Sequence, residues 1–253
     1  MVSETSWSER SIWKRIGQFI YLILAISGIL IDRITPLRLL LWALIAANIL
    51  FLWFFKDWVT LDAVIIFFVA MFVIRYAMLF GSFGRRGLAP WLIQRYGEKR
   101  GYSYYENLTA FLFFYRGTSF NLLVEYTADS LLLPLWLEPW AMGLALVGMV
   151  GASVINLWAT YIVGIDVYYY KDMFLGRAVG TFEVRGPFRY FSNPMYGIGQ
   201  FNAYGAALYY SSVWGLFGTL LNQGLMYVFY FMFEKPHIKR LFANSSASLT
   251  ANS

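Results

Sequence analysis

The sequence predicts an all-α integral membrane protein: a polytopic bundle of about six or seven membrane helices that ends in a helical hairpin. Composition is the first observation behind this prediction. Hydrophobic residues make up 59% of the 253 residues and charged residues 13%, against roughly 25% charged residues in soluble domains. With a mean hydropathy of +0.55, the chain has too little polar surface to cover a globule in water. Intrinsic disorder, a coiled coil and an ordinary nucleic-acid-binding domain are excluded on the same grounds.

Long apolar segments are the second observation. A spanning helix needs roughly 20 largely apolar residues, and residues 37–55, 61–80 and 140–163 meet this requirement. Residues 16–31 are apolar but short, and we expect an uncleaved anchor there because no small-residue cleavage site follows. Residues 105–127 carry charged side chains, so we expect a helix that is buried among others or lies partly in the interface.

The C-terminal part of the chain predicts the hairpin. No charged residue occurs from Tyr196 to Phe233. A single helix of this length would run about 57 Å, nearly twice the hydrocarbon thickness of about 30 Å. The segment must therefore fold back, with the turn predicted at residues 211–215. Two spans return the chain to the side it left, so Glu234 is expected beside Asn193.

The distribution of charged residues predicts the orientation of the chain in the membrane and the contacts of two isolated arginines. The net charge of +6 fits basic cytoplasmic loops that face anionic lipid headgroups. If residues 105–127 span, alternation of the loops places residues 85–100, 165–193 and 234–253 in the cytoplasm, whereas the basic cluster at residues 10–15 disagrees with this orientation. Arg75 is expected to extend toward the first of these loops, and Arg116 to pair with Glu106 or Glu125.

The sequence also predicts a single domain and excludes two classes of metal site. No repeat or linker interrupts residues 1–242, which we interpret as one membrane-embedded domain with its catalytic part at about 140–242. Residues 243–253 form a polar, low-complexity tail that is expected to be disordered. The absence of cysteine and the single histidine, His237, exclude thiolate and multi-histidine metal sites. No metal and no nucleic-acid partner are expected, and the oligomeric state stays open.

The stretch GPFRYFSNPMYGIGQ, residues 186–200, carries the most chemical information. Asn193 is a favourable N-cap and Pro194 suits the first helical position, so a helix is predicted to begin there. Its unpaired N–H groups would favour an anionic group. Gly197 and Gly199 remove side chains and permit close approach of a ligand or of another backbone. A site is therefore expected where this helix start meets Glu234.

SNPMYGIG, the charge-free segment and the following FEKP together resemble the phospholipid N-methyltransferases, in particular the phosphatidylethanolamine N-methyltransferases. The related isoprenylcysteine carboxyl methyltransferases show an Arg-His-Pro-x-Tyr version. The resemblance covers about residues 160–240. It implies an integral membrane enzyme whose active site faces the cytoplasm and which moves a methyl group from S-adenosylmethionine to a phospholipid. The expected acceptor is the amine of phosphatidylethanolamine or of its mono- and dimethyl derivatives.

The resemblance also assigns residues. The positions expected to border the S-adenosylmethionine pocket are Asn193, Pro194, Tyr196, Gly197, Gly199 and Glu234. Two positions depart from the family: Lys235 replaces a second acid, and Ser192-Asn193 stands where the carboxyl methyltransferases have Arg-His. Because a cation beside the acceptor does not suit an amine, Ser-Asn favours a phospholipid amine over isoprenylcysteine.

The remaining assignments concern the acceptor lipid. The amine attacks only when it is neutral, so a proton acceptor is needed. The catalytic candidates are Tyr190, His237 and Glu183, and Asp166 is a further candidate for the proton acceptor. Arg185 and Arg189 are candidates to bind the lipid phosphate. Carboxyl methylation, a membrane reductase using NADPH, and a non-catalytic lipid-binding or transport role remain as alternatives.

Overall fold

Helices form all the regular structure in the computed structural model, which describes residues 5–31, 34–179, 185–191 and 193–241 and contains no strand within them. The polar tail and Glu183 lie outside these residues. The helices are α1 (Thr5–Ile26), α2 (Pro36–Phe55), α3 (Leu61–Ser82), α4 (Leu88–Tyr126), α5 (Glu138–Val163), α6 (Ile165–Tyr168), α7 (Lys171–Leu175), α8 (Phe201–Tyr209) and α9 (Val213–Phe229). Short 3₁₀ turns cover Lys56–Trp58, Gly186–Arg189 and Ile198–Gln200. The last helix continues beyond α9 through a π-helical turn, Tyr230–Glu234, as far as Leu241.

Four helical segments in the described part of the chain are long and apolar enough to cross a membrane. They are Pro36–Trp58, Leu61–Ser82, Glu138–Val163 and Val213–Leu241. The first three coincide with the three clear predicted spans, and the last contains α9. Large apolar side chains on these helices point outward, such as Trp53 and Val147. Such exposed apolar surface suits hydrocarbon, where a helix also satisfies its own backbone polar groups.

α4 occupies the interior of the bundle. It bends at Gly97, whose φ of 76° is a left-handed conformation that glycine adopts without steric penalty. After the bend, α4 packs against α2, α3, α8 and α9, and Tyr105, Asn107 and Val124 are almost fully buried. α4 is not among the four apolar segments, because its buried face carries polar groups. The predicted helix at residues 105–127 is the later part of α4.

A buried ion pair joins α2 to α4. Arg38 is 2% exposed, and its Nη2 lies 2.8 Å from Oε2 of Glu106 while its Nε donates to Oδ1 of Asn107 over 2.8 Å. The expected alternative in which Glu106 pairs with Arg116 is wrong, because α2 begins at Pro36 and places Arg38 against the polar face of α4.

The chain turns back between α8 and α9. Ser211 has a φ of 49°, and the side chain of Ser212 accepts a hydrogen bond from the Gly215 backbone and so caps α9. The turn lies slightly before the predicted position of 211–215. α9 then runs beside α8 in the opposite direction, with the Tyr204 hydroxyl donating to Oε1 of Gln223 over 2.9 Å. α8 also packs tightly on α5, where a Cβ on Gly205 would lie 2.6 Å from the Ala145 carbonyl.

We predict that Glu106→Ala strongly destabilises the protein. The substitution removes the Glu106 carboxylate from the buried Arg38 guanidinium, and breaking a buried ion pair costs about 3–5 kcal/mol. Thermal unfolding of the purified protein in detergent would measure the loss.

Glu125→Ala is the matched control, because Glu125 pairs with Lys56 at an exposed position and such pairs contribute about 0–1 kcal/mol. Equal destabilisation by the two variants would contradict the role assigned to the buried pair.

Candidate active site

One cavity of about 820 Å³ lies where the C-terminal segments meet α3, α4, α5 and α7. It is within the range of roughly 300–1,000 Å³ that is usual for small-molecule sites. Its wall includes Asn193, Tyr196 and Gly199 from the segment before α8, Asp172 from α7 and Glu234 from the π-helical turn. The fold therefore brings together two sequence motifs that are far apart in the chain.

Asn193 begins a capped turn rather than a helix. Its Oδ1 accepts a hydrogen bond from the Tyr196 backbone over 3.1 Å, and its carbonyl accepts one from Gly197 over 3.0 Å. Gly197 then adopts a non-helical conformation, φ −85° and ψ −102°, and α8 begins only at Phe201. The predicted capping contact is present, but the predicted helix start is wrong because Gly197 interrupts the helical backbone.

Side chains from both flanking helices hold this turn in place. Nδ2 of Asn156 on α5 donates to the Gly199 carbonyl over 3.0 Å. From α9, Nε2 of Gln223 donates to the carbonyls of Tyr196 over 3.0 Å and Gly197 over 3.3 Å. A Cβ on Gly199 would lie 2.2 Å from Oδ1 of Asn156, so a side chain cannot be accommodated there. The turn is thus clamped between α5 and α9 with its inner surface on the cavity.

Glu234 contributes a buried carboxylate oxygen. Its Oε2 has no hydrogen-bond partner among the described residues, although a buried carboxylate normally has several. It lies in the π-helical turn, a rare feature that is frequent at functional sites. An unpaired acceptor on a cavity wall is suited to a ligand that donates hydrogen bonds or carries positive charge.

Two tyrosines accompany Glu234. The hydroxyls of Tyr170 and Tyr196 lie 3.1 Å apart. Burial, and then the negative charge of Glu234, raise the pKa of Tyr196 well above its usual value, and burial raises the pKa of Tyr170. Both phenols therefore stay protonated and can donate hydrogen bonds. Tyr170 also has a φ of 58°, a strained conformation for a residue with a side chain.

Asp172 is a second acid on the cavity wall, and the sequence analysis missed it. Nε2 of His237, which is 6% exposed, lies 3.5 Å from Oδ2 of Asp172. His237 itself does not line the cavity, whereas Asp172 does. The sequence does show Asp172 as an acid within a segment whose other charges are mostly basic. It does not show which way the side chain points.

Other predicted residues lie away from the cavity. Tyr190 is 74% exposed and is not part of the wall. Arg185 and Arg189 are exposed at the ends of the Gly186–Arg189 turn, whereas Phe188 between them faces the cavity. Pro194 and Gly197 shape the turn without lining the cavity.

The cationic groups on the cavity wall are instead Arg75 of α3 and Arg116 of α4. Sequence reasoning expected Arg116 to pair with Glu106 or Glu125. Those acids pair with Arg38 and Lys56.

Comparison with known proteins finds similarity over the C-terminal part of the chain. Residues 140–245 match the family model described as phospholipid methyltransferase. The chain is 30% identical over 95 residues to phosphatidylethanolamine N-methyltransferase B of Dictyostelium discoideum, covering 38% of this chain and 47% of that protein. It is 31% identical over 139 residues to phosphatidylethanolamine N-methyltransferase of Podospora anserina, covering 53% of this chain and 14% of that protein.

The chain thus spans less than half the length of either relative. No solved structure matches it significantly. The matched segment contains the Asn193 turn, α7, the π-helical turn and Glu234. Residues 140–245 of this chain are therefore similar to the phospholipid methyltransferases over the segment that forms most of this site.

Proposed function

We propose that this protein transfers a methyl group from S-adenosylmethionine to the amine of phosphatidylethanolamine, or of its mono- and dimethyl derivatives. The reaction takes place at the cytoplasmic membrane interface. The observation that carries the proposal is the cavity in which Asn193 and Glu234, both within the family-matched segment, share one wall. The names of the two similar proteins agree with this acceptor.

The wall residues suit S-adenosylmethionine. When bound, this cofactor supplies a methyl group activated by its sulfonium charge. The unpaired Oε2 of Glu234 is suited to accept hydrogen bonds from the ribose hydroxyls or the amino group. The Tyr196 ring offers a face to the adenine or the cationic centre. A side chain at Gly199 would displace the Asn156 amide that holds the turn, and Pro194 and Gly197 shape the turn behind it.

We assign Asp172 as the group that accepts the proton of the lipid amine. The lipid amine must lose its proton before it attacks, and a proton acceptor must lie within reach in the cavity. Asp172 lines the wall, interacts electrostatically with Glu234 and is backed by His237. Nε2 of His237 lies 3.5 Å from Oδ2 of Asp172 without a hydrogen bond, so His237 is proposed to act through Asp172 and not on the ligand. Glu183 stays a prediction, and the exposed Tyr190 has no assigned role.

The orientation and the span count complete the proposal. Arg177, just after α7, pairs with Glu98 near the start of α4, with Nη2 2.6 Å from Oε2. This contact places the basic cluster of residues 85–100 at the same end of the bundle as α7 and supports a cytoplasmic active site. We propose six or seven membrane helices that end in a hairpin, and a single domain over residues 1–242, because Arg75 and Arg116 from its first half also line the cavity.

The direct test uses purified protein, S-adenosylmethionine labelled in its methyl group, and three lipid acceptors. We expect label in the products of phosphatidylethanolamine and of its monomethyl and dimethyl forms. An isoprenylcysteine substrate in a parallel reaction should stay unlabelled. Normal S-adenosylmethionine binding without any labelled phospholipid would refute the proposed acceptor.

We predict that Glu234→Gln weakens S-adenosylmethionine binding roughly 10- to 100-fold, because one charge-assisted hydrogen bond contributes about 1.5–3 kcal/mol. Equilibrium binding of the labelled cofactor measures the change. Glu98→Gln is the control, since Glu98 is an exposed acid at the same end of the bundle. An unchanged affinity in Glu234→Gln would remove Glu234 from the cofactor site.

Asp172→Asn should lower kcat about 100-fold or more, the usual contribution of a general base, while the affinity for S-adenosylmethionine stays within a few-fold. His237→Gln should show a smaller loss, because His237 acts through Asp172.

The matched control for Asp172→Asn is Asp166→Asn. Asp166 pairs with Lys171 at 2.7 Å and is not part of the cavity wall. Equal activity of wild type and Asp172→Asn would exclude Asp172 as the proton acceptor.

A further inference from the structure

We infer that Arg75 and Arg116 bind the phosphodiester of the phospholipid acceptor inside the cavity. This inference rests on the proposed function and adds the part of the site that holds the lipid headgroup. Both arginines lie outside residues 140–245, the segment that matches the family model. The N-terminal half of the chain would then supply the acceptor site, and the C-terminal half the cofactor site.

The two guanidinium groups have no counter-charge in the part of the chain that the structure describes. Both line the cavity, and the Nε atom of each is buried without a hydrogen-bond partner. The acids nearest to them in sequence on α4 pair elsewhere, Glu106 with Arg38 and Glu125 with Lys56. A weak contact at 3.9 Å joins Nη2 of Arg75 to the Met226 sulfur.

Aromatic rings hold both arginines from one side. The Cζ atom of Arg75 lies 4.2 Å from the ring centroid of Phe113, and the Cζ atom of Arg116 lies 5.9 Å from that of Phe120. Stacking on a ring engages the face of a guanidinium and leaves its N–H edge available. That edge matches the geometry of two phosphate oxygens, which arginine binds bidentately.

The energetic argument is independent of this geometry. An ionised group inside an apolar helical bundle is strongly destabilising unless an opposite charge compensates it. Two arginines around one cavity also repel each other. A protein that keeps both without an internal partner needs an anion at this position, and a phospholipid supplies one.

The charge distribution of the cavity then orients the headgroup. Met226, which contacts Arg75, and Glu234 are eight residues apart on the last helix, or roughly 12 Å at 1.5 Å per residue. The cavity is therefore basic near Arg75 and Arg116 and acidic near Asp172 and Glu234. Phosphoethanolamine has the complementary polarity. With its phosphodiester on the arginines, its amine points toward the two acids and the proposed cofactor site.

The carboxylate of S-adenosylmethionine is the other anion that could reach these arginines, so the experiment measures the two ligands separately. Arg75→Met and Arg116→Met are compared with wild type in detergent. The measurements are binding of radiolabelled phosphatidylethanolamine, binding of diacylglycerol with the same acyl chains, binding of S-adenosylmethionine, and Tm.

We expect each variant to bind phosphatidylethanolamine roughly 10- to 100-fold more weakly, as for one lost charge-assisted contact. Diacylglycerol and S-adenosylmethionine should bind as in wild type. The Tm should stay the same or rise, because an uncompensated buried charge is removed. Arg75→Lys and Arg116→Lys should bind phosphatidylethanolamine more tightly than the methionine variants, since lysine keeps the charge without the planar guanidinium. Arg86→Met is the control for loss of an exposed charge.

Three outcomes would overturn the inference. Loss of S-adenosylmethionine binding with normal lipid binding would assign the arginines to the carboxylate of the cofactor. Equal loss of phosphatidylethanolamine and diacylglycerol binding would indicate a role in shaping the cavity. A lowered Tm with unchanged binding of all ligands would make both residues structural. Lipid binding is measured without methyl transfer. If the protein proves not to catalyse the proposed reaction, the binding assay still tests whether the arginines hold the phosphodiester.

Discussion

The free-energy cost of burying an ionised group inside an apolar helical bundle is the constraint on which the rest of this structure depends. Every ionised group there must be compensated by the protein or by a ligand. Arg38 is compensated within the protein by Glu106 and Asn107, and this contact fixes α2 against α4. Arg75, Arg116 and Glu234 are not compensated in this way, and all three line the same cavity. In the proposed function, these uncompensated charges are the groups that face the ligands.

The cavity exists because three unrelated pieces of backbone are held at fixed positions. The Asn193 turn is clamped by side chains of α5 and α9. The π-helical turn places Glu234 on the same wall. α7 follows two short helical breaks and contributes Asp172 to the cavity lining. The methyl donor and the lipid would thus meet at a junction of elements, where small shifts in backbone geometry change the distance between reacting atoms.

Much of this could be predicted because hydropathy and local motifs are properties of short segments. The apolar segments become α2, α3, α5 and the last helix, and the NPMYG motif and Glu234 lie within the segment that matches the phospholipid methyltransferase model. Other expectations were wrong or unsupported for a common reason. The helix expected at Asn193 fails because Gly197 leaves the helical conformation. The pairing expected for Arg116 fails because its candidate partners face other helices. The exposure of Tyr190 depends on how its loop packs, which local sequence does not determine.

The amino-acid sequence by itself determined the apolar surface of this protein, its helical class and the resemblance of its C-terminal part to the phospholipid methyltransferases, because these follow from composition and from residues close together in the chain. The tertiary structure alone decided which ionisable groups share a cavity. Arg75, Arg116, Asp172 and Glu234 lie on four separate elements. Whether such groups meet or are neutralised elsewhere depends on helix rotation and crossing. A rotation of one residue, about 100° around a helix, would turn any of them from the cavity toward lipid.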